Sequence, residues 1–230
     1  MKLDANQFKG LYNNLVDIIP ENRRGKVCVF FPRAGSNYFD IKERILFIGK
    51  SVNGWITNEL NVDLLFDPNN PARIVNIDGK LFWQENNKQS YNINRSAFCR
   101  FLIKIASRYL KKKDWRDDIA WTNLYKISPW EGGNPSASLR KLQEKICVEI
   151  LQKEIEYFNP KFVIFLTSHL EDFYLKHIGY DRKNGKTLKW GDYETNYQKI
   201  NGRTFILSPH PQGKKEAPHA EAIISIMQSV

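Results

Sequence analysis

The sequence predicts an α/β fold: three α/β/α layers around a mainly parallel central sheet. Three observations carry that expectation. Short apolar runs at Ile45–Ile48, Asp118–Ile127 and Lys161–Thr167 have the length and composition of strands buried on both faces. Amphipathic helical stretches alternate with them. The intervening connections are long enough for the crossovers that parallel pairing requires.

At 230 residues the chain can bury a sizeable core. A single domain over 1–230 is expected, with an N-terminal extension covering about residues 1–40. No window approaches the roughly 18 apolar residues of a membrane span. The N-terminus carries an early acid, Asp4, and no apolar signal core. A cytoplasmic protein without membrane association is expected, and no obligate protein partner is inferred. Cys28, Cys99 and Cys147 lie far apart without metal-ligand spacing and read as buried thiols. The net charge of +10, from 35 Lys+Arg against 25 Asp+Glu, favours polyanionic partners, nucleic acid above all. A generally basic surface is the alternative.

Taken in order, Phe8, Leu11, Leu15 and Ile18 recur at helical spacing over 3–18, and Pro20 stops the pattern. Lys26–Phe31 is strand-like and closed by Pro32 and Gly35, fitting either an edge strand or an arm. The strand over 44–49 breaks into Gly49-Lys50-Ser51-Val52-Asn53-Gly54-Trp55, which is turn chemistry. The irregular connection over 55–95 is long enough to be functional. Its aromatics, Trp55, Phe66, Phe82, Trp83 and Tyr91, either stack on a base or pin the loop to the body.

Phe98, Leu102, Ile105, Ala106 and Tyr109 form the stripe of a helix over 96–112. Lys111-Lys112-Lys113 at its end complements the helix dipole. Asp118–Ile127 reads as the second core strand, followed by a loop from Ser128 to Ser136. Ser138–Phe158 is the longest helical pattern, with Leu142, Ile146, Ile150, Leu151 and Ile155 on one side, and Asn159-Pro160 ends it. After the strand at 161–167, a short helix is expected over about 168–178 and a basic loop over 183–191. Asn201-Gly202 between Tyr197–Ile200 and Arg203–Leu207 is a hairpin-turn signal. Ala220–Val230 closes the chain as a helix. The sequence shows no internal repeat or linker.

Several chemistries fall away. Gly49-Lys50-Ser51 is no phosphate loop, because the earlier glycine of that motif would fall at Arg44, on the strand. There is no Gly-x-Ser-x-Gly elbow and no His-Glu-x-x-His helix. His169, His177, His210 and His219 form no readable metal site. What remains is three strand ends, at 49–55, 123–130 and 208–213, which a parallel sheet places on one edge.

On those ends the sequence resembles the uracil-DNA glycosylase superfamily, from about residue 44 onward. The matching residues are Ile48-Gly49, then Trp121-Thr122-Asn123-Leu124-Tyr125-Lys126, then Ser208-Pro209-His210-Pro211. Asn159-Pro160-Lys161-Phe162-Val163-Ile164 is similar to the junction before the family's third strand. The resemblance implies a uracil-DNA glycosylase-like fold, DNA as partner, and hydrolysis of the N-glycosidic bond of a deaminated or damaged base without metal or organic cofactor. No iron–sulfur cluster is expected, since three dispersed cysteines cannot supply four thiolates.

It also implies roles. Asn123 would read the base edge with its amide donor and acceptor. His210 would stabilise charge developing on the base oxygen. Ser208 and Pro211 would belong to the substrate-binding set, Pro209 and Pro211 would stiffen the last loop, and Gly213, Lys214 and Lys215 would approach the phosphates. Gly49, Lys50 and Trp55 would border the base. In the first loop the family places an acid or Asn within two residues of the glycine, whereas here Lys50, Ser51 and Val52 follow and Asn53 comes fourth. Ser51 and Asn53 are therefore the groups left for directing water. Two other functions stay open: a non-catalytic nucleic-acid binder of the same fold, and an enzyme acting on a nucleotide or other small ligand.

Overall fold

A computed structural model describes residues 6–55, 57–67, 96–112 and 115–230. Phe82, Trp83, Tyr91 and Lys113 lie outside the described residues. The chain opens with α1 (Asn6–Asp17), β1 (Val27–Val29), β2 (Arg33–Ala34) and β3 (Ile45–Gly49). A short helix α2 (Val62–Phe66) follows, capped by the Asn61 side chain, and then α3 (Ala97–Leu110), capped by Ser96. Next come β4 (Ile119–Asn123), β5 (Ile127–Pro129) and the long helix α4 (Ala137–Phe158), whose N-cap is Ser136. Asn159 ends that helix in the left-handed region, with Pro160 behind it. The remainder is β6 (Phe162–Leu166), α5 (Asp172–Leu175), β7 (Lys186–Trp190), β8 (Tyr193–Ile200), β9 (Arg203–Ser208) and α6 (Glu216–Ser229).

The main sheet has the order β2-β4-β3-β6-β9-β8-β7. Its four central strands, β4, β3, β6 and β9, are parallel, and the outer strands are antiparallel. Every residue of β3 is buried, which is why a strand with no polar face takes the centre. Its side chains alternate between two cores. Leu46 and Ile48 join α1 and α4 on one face; Ile45 and Phe47 join α3 and α6 on the other. These are the three expected layers.

Several expectations change. Asp118–Ile127 is not one strand: β4 stops at Asn123, and β5 leaves to pair with β1 in a separate two-stranded ladder. The edge beside β4 is taken instead by Arg33 and Ala34. The stretch 183–191 is mostly strand β7, whose side chains are largely exposed and so carry loop-like composition. Leu142 is exposed rather than part of the core stripe of α4. Only Asp172–Leu175 of the helix expected over 168–178 is α-helical, with a 3₁₀ turn after it. The last helix starts at Glu216, with Pro218 tolerated in the first turn, where N–H groups lack helical partners. The Asn201-Gly202 turn has φ of 48° and 80°, as a type I′ hairpin requires. Phe66 packs into the core against Tyr12 and Phe31, so this aromatic pins the insert.

Candidate active site

Gly49, Asn123 and Ser208 end three parallel strands, and their loops share one edge of the sheet. The loops after β3, β5 and β9 and the first turn of α3 enclose a cavity of about 470 Å³. That is the size of a small-molecule site.

Gly49 and Asn123 are register partners in the β3–β4 ladder. A Cβ at residue 49 would collide with Asn123 Oδ1 and lie 3.2 Å from two ring atoms of Phe98. Asn123 is 2% exposed, and its Nδ2 has no hydrogen-bond partner among the described residues. A buried donor left unmatched costs about 1–3 kcal/mol. This amide is therefore held on the wall of the cavity with a donor still to be satisfied.

The backbone of Asn123 is fixed by a buried polar cluster behind the wall. Lys126 Nζ donates to the Asn123 carbonyl (2.6 Å), to Thr122 Oγ1 (2.7 Å) and to Glu154 Oε2 (2.9 Å), while Thr122 Oγ1 donates to Glu154 at 2.8 Å. Lys126 and Glu154 are fully buried. Burial pushes the Glu154 carboxyl up, against the pull of Lys126. Leu124 N–H donates to Gly49 O (2.9 Å) and Tyr125 N–H to Lys50 O (3.0 Å), so the chain past Asn123 stays tied to the first loop.

His210 is fixed from two sides. Its backbone N–H donates to Ser168 Oγ at 2.7 Å, and its Nδ1 accepts from Gln212 N–H at 3.3 Å. Ser168 and His169 both sit at positive φ, 55° and 69°, at the end of β6. Burial, then the charges of Lys50 and Lys214, lower the His210 pKa to about 4. The ring is neutral at pH 7, and an accepting Nδ1 assigns its proton to Nε2.

The other sequence candidates divide. Lys50, Ser51, Asn53 and Trp55 line the cavity with Gly213. Ser51 Oγ donates to Asn134 Oδ1 at 3.4 Å, and Asn53 Oδ1 accepts from Gly133 N–H, which ties the first loop to the one after β5. Trp55 packs on Phe30 and Trp121, with the Arg33 guanidinium 5.2 Å from its ring centroid. Ser208 lies outside this cavity. Its hydroxyl contacts Thr195 (2.8 Å) and His219 Nε2 (2.6 Å), and it borders a smaller neighbouring pocket of about 210 Å³. Pro211 is buried, and its carbonyl accepts from Lys214 N–H. Lys214 Nζ lies 4.9 Å from the Tyr193 ring centroid.

Sequence reasoning missed Phe98, Trp121, Arg100 and Asn134 as lining residues. Phe98 and Trp121 carried the same apolar periodicity as the core, so no local signal separated them. Lys111 and Lys112 lie away from the cavity: α3 has its first turn at the cavity and is 14 residues long, about 21 Å. Lys112 instead pairs with Asp118 just before β4, at the opposite edge. His169, Glu171 and Asp172 cluster closely, but Arg182 already pairs with both acids. The three cysteines are buried and free. No described helix is long and apolar enough to cross a membrane.

The family model described as the uracil DNA glycosylase superfamily matches residues 37–222. No curated protein matches the chain. The match spans all four parallel strands and every loop of the cavity, so the fold and the order of its strand ends have one common origin: the chain belongs to the uracil-DNA glycosylase superfamily.

Proposed function

We propose that the protein binds DNA and excises a deaminated or damaged base by breaking its N-glycosidic bond. The observation that supports this reading most directly is the buried, unmatched amide of Asn123, set across Gly49 at the mouth of three strand ends. A base reaches such a cavity only after leaving the stack. The Asn123 amide then meets a carbonyl acceptor and ring N–H of a uracil-like edge. Phe98, Trp121 and Trp55 offer apolar walls to the ring.

His210 would donate from neutral Nε2–H to the base oxygen as the C1′–N bond lengthens and negative charge moves onto the ring. The first loop brings hydroxyl and amide groups, Ser51 and Asn53, to the cavity wall. Such groups orient water but abstract its proton poorly. Most of the rate would then come from stabilising the departing base, with water captured at C1′ afterwards.

The test is incubation with oligonucleotides carrying uracil, hypoxanthine or xanthine, followed by alkali to cut abasic sites. Cleavage by the parent, lost in Asn123→Ala and His210→Ala, is the expected result. Salt-sensitive DNA binding with no cleavage on any substrate would favour a non-catalytic binder, a role the net charge of +10 also suits.

A further inference from the structure

The first loop puts a lysine on the wall of the cavity proposed to receive the base. Lys50 follows directly on Gly49, lines the cavity with Asn123 and His210, and has its backbone carbonyl held by Tyr125 N–H at 3.0 Å. Its Cα is therefore anchored to the strand end rather than carried on a free surface turn. Among the described residues its amine makes no ion pair. Its charged neighbours are Lys214 and Arg140, which repel it, and Glu171, which attracts it; burial is the largest influence and favours the neutral amine. Lys50 is half-buried, and partial desolvation beside other cations shifts an ammonium toward the free amine that a nucleophile needs.

We propose that Lys50 attacks the C1′ aldehyde of an abasic site, giving the protein a strand-cleaving lyase activity after base loss. This rests on the DNA reading of the cavity given above. The ring-opened sugar left by base excision carries C1′ as an aldehyde. Lys50 Nζ adds to it, the aldehyde oxygen leaves as water, and a protonated imine joins protein to DNA. That iminium acidifies C2′, whose proton passes to solvent. The electron pair left on C2′ forms the C2′–C3′ double bond, and the C3′–O bond breaks with its electrons going to the phosphate. The downstream strand leaves with a 5′-phosphate. Water then hydrolyses the unsaturated imine and returns the free amine. No oxidant, reductant or metal enters the balance.

The experiment uses the full chain and a duplex with a preformed abasic site, so that base excision is not required. With sodium borohydride present, the imine is reduced to a stable protein–DNA adduct, read on a denaturing gel and located by peptide mass spectrometry. The expected result is an adduct at Lys50, nicking without alkali in the absence of borohydride, and loss of both in Lys50→Arg and Lys50→Gln. Lys50→Arg keeps the charge but cannot form the imine, so duplex binding measured beside the adduct separates the chemistry of the amine from its charge. Adduct formation should rise with pH and level off below the ordinary lysine pKa of about 10.4. Binding of the abasic duplex without adduct, or an adduct mapped to another amine, overturns the lyase alone. No adduct together with no DNA binding and no base excision overturns both this proposal and the glycosylase reading.

Discussion

Gly49 and Asn123 stand side by side in the parallel register of β3 and β4, and the side-chain space the first leaves empty is filled by the amide of the second. The glycine is needed for room, not for backbone freedom, since it is not among the positive-φ glycines. Gly49→Ala should push the amide aside or force the Phe98 ring to move. A stability loss of about 1–3 kcal/mol is expected from the overpacking. Excision should fall more, by about 10²-fold, because a shift of about 1 Å in a positioning group has that scale of effect. Urea denaturation and single-turnover excision measure the two separately. Equal small losses in both would mean that Asn123 is not the group that grips the base.

For His210 the informative variable is pH. Burial and the two lysines place its pKa at about 4. The excision rate should therefore show no inflection near the ordinary histidine pKa of about 6.5. It should change only as pH approaches 4. Removing the donor in His210→Ala should slow excision by about 10²–10³-fold. A pH–rate profile with a clear step between 6 and 7 that disappears in His210→Ala would contradict the neutral donor.

The cluster behind Asn123 separates stability from positioning. Lys126→Met leaves Glu154 as a buried acid without its cation, which should cost about 3–5 kcal/mol. The double variant Lys126→Met/Glu154→Leu removes both charges and should regain most of that loss. It cannot restore the donor that Lys126 Nζ gives the Asn123 carbonyl. A double variant that is stable yet excises slowly, chiefly through a raised KM, is the expected outcome. Full recovery of both would make the cluster a purely structural feature.

How much of this could be read in the sequence depended on whether a residue's surroundings are local. Strand β3 and the Asn201-Gly202 turn were legible because unbroken burial and a left-handed turn each leave a composition that little else produces. Strand β7 was not, since a strand exposed along an edge has the composition of a loop. The run from Ile119 to Ile127 looked continuous because Leu124 and Tyr125 are buried for a different reason, tying the end of β4 to Gly49 and Lys50. The three strand ends of the site were legible through their order. The support beneath them was not: Ser168 meets His210 across 42 positions, and Lys126 meets Glu154 across 28. Ser208 ends β9, and a strand's last residue points to one face or the other; this one turns to His219.

That His219 contact supplies the last prediction. The imidazole is fully buried, stacked on Trp190 with centroids 4.1 Å apart and close to Phe101, and hydrogen-bonded to Ser208. Burial, then Lys214 and His210, lower its pKa to about 3, whereas an unfolded chain titrates histidine near 6.5. Between those values the unfolded chain binds the proton and the native state does not. The stability that His219 contributes is therefore complete above about pH 6.5 and is lost as pH falls toward about 3, at about 1.4 kcal/mol per pH unit. His210, with a pKa of about 4, adds a similar loss over part of the same range, so the parent curve alone does not isolate His219. His219→Phe removes one titration while keeping an aromatic between Trp190 and Phe101. It gives up the Ser208 hydrogen bond and should be less stable than the parent at pH 7. The gap between the two should narrow by more than about 1 kcal/mol when urea denaturation is repeated at pH 5. Parallel curves across that range would mean that His219 is protonated as readily in the folded protein as in the unfolded one, and that the ring is open to water rather than sealed between its two aromatic neighbours.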